Sequence, residues 1–253
     1  MENIPHEVLQ QGGFVGPRFT GVFLFQNVFW RVAIPLVVGT VSINALDALR
    51  IMPLETKRLL SSRRNDMREY LKLWADCCDY DMGYQASAQT VTRESFLGEM
   101  IESTERELTS AVADLCQQRP NSKAVHSARD ATEKALKAYL CHHAGLTHDQ
   151  AKNKFGHRLA KLVQEVSLCT PKSPLVLPQE DLEVFAPYED RYTSKNFARM
   201  QLWRAYRIAQ FTAAEVLRSI SGSSGRNLLA VVLRDPIFFD NAHAGQSFIE
   251  DVH

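Results

Sequence analysis

The stretch from Ser122 to Gly145, SKAVHSARDATEKALKAYLCHHAG, constrains the fold more than any other. Small apolar residues recur at Ala124, Ala128, Ala131 and Ala135, followed by Leu136, Tyr139 and Leu140. Steps of three and four place them on one continuous helical face. Alanines on that face let a neighbouring helix come close. Asn121 or Ser122 is suited to accept from the first unpaired backbone N–H groups, and Gly145 to end the helix in the left-handed conformation. The opposite side carries Lys123, Arg129, Asp130, Glu133, Lys134 and Lys137. Two readings follow: a core helix with a solvated back, or a helix whose polar side lines a site.

A chain of 253 residues with 45% hydrophobic and 23% charged residues is expected to bury a sizeable core. Basic and acidic residues balance at 29 each, so no whole-chain field favours a polyanion. The five cysteines have no paired spacing, which suits thiols packed in a reducing cytoplasm rather than a disulfide framework. The polar start MENIPHEVLQQGG does not read as a signal peptide. The uncharged run Val32 to Leu46 is too short for a membrane helix.

Three divisions are expected: an arm and β-rich segment over 1–53, a helical bundle over 54–220, and a linker with a strand-like tail over 221–253. GVFLF and VFWRVAIPLVV, separated by Gln26-Asn27, read as a hairpin turning near Asn27, with Pro35 at an edge or bulge. Helices are expected over Leu54 to about Tyr80, Glu94 to Cys116, Gly156 to Ser167, Gln179 to Phe185, and about Ser194 to Ile220, with Gln85 to Thr92 as a polar linker. Thr147 and Gln150 have capping-box spacing. LLAVVLRDPIFF, Leu228 to Phe239, reads as a strand that joins the N-terminal strands or docks on a second copy.

Three pieces carry a family resemblance: ARDATEKALKAYL (Ala128 to Leu140), GHRLAKLV (Gly156 to Val163) and EDRYTS (Glu189 to Ser194). Their order and spacing resemble the HEPN superfamily from Trp74 to about Ile220. The resemblance implies a mainly α protein, an up-and-down bundle of four or five helices, and leaves both terminal β-like segments unexplained; from their strand-like residues these are expected to form one small β element beside the bundle, built from both chain ends. The resemblance also implies that Glu133, Lys137, His157, Arg191 and Tyr192 gather near one end of the bundle. A cationic Lys/Arg pair with a neutral histidine suits a phosphate or other anion, and an aromatic edge suits a base. The competing reading makes Glu133–Arg191 a bundle-fixing salt bridge, His157 a helix cap and Tyr192 core.

The family's ribonucleases carry R-x(4–6)-H at the start of the last helix. After Arg191 this chain has Asn196, Phe197 and Ala198 in the histidine window. The one match to that spacing, Arg119 and His126, falls at the central helix instead. The resemblance therefore points to a non-catalytic binding module, homodimeric and cytoplasmic, for a nucleotide, RNA, or a nucleotidyltransferase- or toxin-like partner. A metal-independent ribonuclease using Arg119 and His126 and a structural or dimerisation protein are the alternatives. No cofactor is expected. Cys141, His142, His143, His148 and His157 are dense enough for zinc, but consecutive helical positions fan in different directions and no metal site is assigned.

Overall fold

The computed structural model describes residues 13–38, 44–169 and 196–222, with Leu175, Leu177 and residues 179–185, 187, 188 and 190. Most of this is helix, preceded by one antiparallel hairpin. The hairpin pairs β1 (Gly13–Phe25) with β2 (Val28–Val38). Gln26 and Asn27 form its turn with φ of 50° and 60°. Two successive left-handed residues give the turn whose twist matches that of the strands. The register slips on either side of Pro17, which faces Pro35, as expected where two residues lack a donor.

Among the described residues the β element is this N-terminal hairpin. The expected contribution from Leu228 to Phe239 lies outside the described residues. The hairpin is anchored by aromatic contacts. Phe23 meets Tyr70 and Trp203 edge-on at 5.2 and 5.5 Å, and Phe19 lies 4.9 Å from Tyr80. Its backbone also engages the helices, with Val22 N donating to the buried Tyr206 hydroxyl at 3.3 Å. Glycine at position 21 permits this closeness. A Cβ there would sit 2.6 Å from Cys77 Sγ.

The single helix expected over Leu54 to Tyr80 is two, α1 (Leu54–Ser62) and α2 (Arg64–Thr90). Arg63 between them is extended, at φ −101° and ψ 94°. Just before it, the Ser61 and Ser62 hydroxyls donate to the carbonyls of Lys57 and Leu59. Such side-chain bonds compete with the helical ladder. The linker expected over Gln85 to Thr92 is instead largely the end of α2. No glycine or proline interrupts it, and buried Ser87 folds its hydroxyl back onto Tyr84 O.

Helix α3 (Phe96–Leu115) starts under Ser95, whose Oγ accepts from Gly98 N at 3.1 Å. The central helix α4 (Lys123–Ala144) begins with Asn121 Oδ1 accepting from Lys123 N and ends at Gly145, φ 64°. Gly145 N and Leu146 N reach back to the carbonyls of Cys141 and Leu140, the paired closing bonds of a left-handed helix end. The capping box of Thr147 and Gln150 is present, with both bonds formed. Its turn widens over Ala151–Phe155, where Gly156 N bonds to Ala151 O, and Gly156 breaks it at φ 54°. Helix α5 (Leu159–Cys169) follows, then one turn at Gln179–Leu182 and the last long helix, α6 (Arg199–Ser221).

Helix α4 packs against α3, α5 and α6. Ala124, Ala128, Ala131 and Ala135 are sealed. The polar side is not the solvated back of a plain amphipathic helix: Arg129, Asp130 and Glu133 are buried as well. Lys134 extends the contact by reaching Glu107 of α3 at 2.6 Å. Helices α2 and α6 meet through a buried ionic set formed by Asp76, Asp79, Arg207, Glu215 and Arg218. No helix among the described residues is long and apolar enough to cross a membrane.

Candidate functional site

Glu133, Lys137 and His157 come together where the polar flank of α4 meets the Gly156 turn. One helical turn separates Glu133 from Lys137, so both project from the same side of α4. Lys137 Nζ donates to Glu133 Oε1 at 2.7 Å and to Gly156 O at 3.0 Å. His157 presents Nδ1 to both Glu133 oxygens, at 3.2 and 3.3 Å. The helix-capping role considered for His157 is replaced by this contact with a buried carboxylate. Of the other two residues expected here, Arg191 and Tyr192 lie outside the described residues, and with them the Glu133–Arg191 salt bridge.

Two further residues complete the cluster. Arg129, one turn before Glu133, approaches Glu133 Oε2 at 3.4 Å and holds the His157 carbonyl with Nη2 at 2.5 Å. Tyr188 stacks flat on His157, with ring centroids 3.9 Å apart and planes 8° apart, and its face also meets Arg129. Arg129 was legible from its i, i−4 spacing to Glu133. Tyr188 had no periodic signal, since it sits in an irregular segment after Pro187.

The result is a positioned imidazole. Glu133 is 5% exposed, yet the His157 side chain beside it is 54% exposed. A surface histidine ordinarily turns freely. This ring is held at Nδ1, across one face and at its own carbonyl. Engagement of Nδ1 leaves Nε2 as the nitrogen available to a ligand.

Beside the cluster opens a cleft of about 180 Å³, lined among others by Phe96, Met100, Lys137, His148, Lys152 and His157. Lys152 is exposed and, among the described residues, has no ion-pair partner. Phe96 is braced edge-on by His148 at 5.5 Å. The cleft therefore has a cationic wall and an apolar wall.

The other candidates are differently placed. Arg119 lies exposed in the turn after α3, whereas His126 is buried in the first turn of α4, its ring 6.5 Å from Phe197. A general base must reach its substrate, and a buried imidazole is poorly placed to do so. Among the described residues, no three of His, Cys, Asp and Glu gather as metal ligands. His143 instead contacts Tyr139, His142 and, through Nε2, Ser219 Oγ at 2.5 Å. Burial pushes the thiols of Cys77 and Cys78 up, with neighbouring anionic groups adding to the effect. Neither supplies a ready thiolate at neutral pH.

No family model, curated protein or solved structure matches this chain.

Proposed function

We propose that this chain is a non-catalytic HEPN-type module, an up-and-down helical bundle that binds a nucleotide, or the phosphate of RNA, in the cleft beside Glu133, Lys137 and His157. The reading extends to a homodimer acting in the cytoplasm with a nucleotidyltransferase- or toxin-like partner. The observation that carries it is the meeting of Lys137 and His157 on one buried carboxylate, next to the exposed ammonium of Lys152. Glu133 restrains both donors while leaving each with hydrogen-bonding capacity. Such preorganised donors suit a phosphate, since little ordering cost remains at binding.

The binding test is thermal unfolding of the whole protein with and without ATP. A ligand that prefers the folded state raises Tm with concentration. The reading requires that rise, and requires it to shrink in Lys152→Met. Size-exclusion chromatography with light scattering tests the dimer, and a single-chain mass at all concentrations would refute it.

A further inference from the structure

The same cleft has features that select one kind of nucleotide. We infer that it takes a nucleoside monophosphate, with the terminal phosphomonoester bound as its dianion. This rests on the reading above, but it makes a claim that reading does not.

The donors come first. An ammonium has three N–H groups. Lys137 commits two, to Glu133 Oε1 and Gly156 O, so one remains on a side chain lining the cleft. His157 commits Nδ1 to Glu133 and retains Nε2. Lys152 brings an exposed ammonium to the same wall. Lys137 and Lys152 donate from α4 and the turn after it, and His157, whose Nδ1–H already faces Glu133, adds a third donor at Nε2 only as the imidazolium. A terminal phosphate offers three oxygens to receive them, whereas a diester offers only two non-bridging ones.

Charge points the same way. Among the described residues, the fixed ionic groups around His157 are Glu133, Arg129 and Lys137 on α4, with Asp130 lying 4.0 Å from Arg129. Arg129 and Lys137 offset Glu133 and Asp130. Lys152 remains, joined by His157 when it carries its proton. His148 adds a second imidazole, with Asp149 3.8 Å from it. A dianion matches two such cationic groups, whereas a phosphodiester carries one charge and leaves part of that attraction unused.

Size and shape set the remainder. Drug-sized ligands occupy pockets of roughly 300–1,000 Å³, and this cleft is about 180 Å³. It suits a phosphate and part of one nucleoside rather than a strand running through in both directions. Phe96 and Met100 form the apolar wall, and the edge contact with His148 holds the Phe96 ring in place for stacking.

The test is calorimetric titration of the full chain with adenosine monophosphate, cyclic adenosine monophosphate, adenosine and ATP. Adenosine monophosphate is expected to bind at least about tenfold more tightly than the cyclic diester or the nucleoside. Lys152→Met, an exposed change outside the core, is expected to weaken it about tenfold. Equal affinity for monophosphate and cyclic diester overturns the inference and leaves the nucleotide reading standing. So does ATP binding without monophosphate binding. Failure of all four ligands overturns both. Unchanged monophosphate affinity in Lys152→Met, with the fold verified by circular dichroism, overturns the assignment to this cleft.

Discussion

Arg218 and Asp79 meet inside the α2–α6 interface, guanidinium Nε to Oδ2 at 2.5 Å, both buried. Arg218 also reaches Glu215 through Nη1 at 2.5 Å and Asp76 through Nη2 at 2.8 Å, and Arg207 closes on the other Asp76 oxygen at 2.7 Å. Burial works against the charge on Arg218. The carboxylates of Asp76, Glu215 and Asp79 outweigh it and hold the guanidinium's pKa above its ordinary value. Removing one member of a buried ionic set costs about 3–5 kcal/mol, chiefly through the charges left behind. Arg218→Met is expected to lose that much in urea denaturation, and Asp79→Asn less, since Arg218 then keeps Asp76 and Glu215. A loss below about 1 kcal/mol for Arg218→Met would show that water reaches and screens the interface.

Gly83 and Gly145 should respond to alanine for different reasons. A Cβ at Gly83 would lie 2.8 Å from Leu217 Cβ and 3.3 Å from Leu217 backbone, so Gly83→Ala forces α2 and α6 apart. Overpacking of this kind costs about 1–3 kcal/mol. At Gly145 nothing lies within 4 Å, but φ is +64°. Gly145→Ala is expected to cost about 1–2 kcal/mol through backbone conformation alone. Asparagine tolerates the left-handed region, so Gly145→Asn should recover part of the loss while Gly83→Asn should not. Chemical denaturation of the four variants checks this.

The central helix, its glycine end and the Thr147 capping box were legible because each rests on local chemistry. So was the hairpin turn at Asn27. The break at Arg63 was not. Its flanks keep a helical pattern, and only the serine hydroxyls turning onto Lys57 and Leu59 carbonyls reveal the competition. Gln85 to Thr92 misled in the other direction, because polar composition suggests a linker whereas buried Ser87 satisfies its hydroxyl within α2. Glu133, Lys137 and His157 were placed together by resemblance. That Arg129 joins them, and that the polar side of α4 is closed, depends on elements distant in sequence, which periodicity does not encode.

Histidine 143 should titrate below an ordinary histidine. Burial lowers its pKa first, and the adjacent His142 ring adds to the effect. The sign of the linkage follows. With a depressed folded pKa, the unfolded chain binds the proton more readily, so this contribution to stability is present above the unfolded value of 6.5 and is lost as pH falls through the folded one. Histidine NMR is expected to show a depressed midpoint for His143, moving up in His142→Ala. A midpoint at or above 6.5 in the native protein would contradict the partial desolvation of that ring.

The stack of Tyr188 on His157 should fix the imidazole for its ligand. Tyr188→Ala is expected to weaken ATP binding about three- to tenfold, consistent with the roughly 0.5–1.5 kcal/mol of an aromatic pair. Tyr188→Phe, which keeps the ring, should bind as the native protein does. Calorimetry separates the two, and equal weakening in both would assign the role to the hydroxyl instead.

The most direct measurement of the central claim is histidine ring NMR during titration of the whole protein with ATP. The ring signals of His157 and His148 should move together and saturably, because both line the cleft, while those of His126 and His143 stay in place. An unmoved His157, or a saturable shift confined to His126 or His143, would contradict the account and put the ligand elsewhere on the bundle.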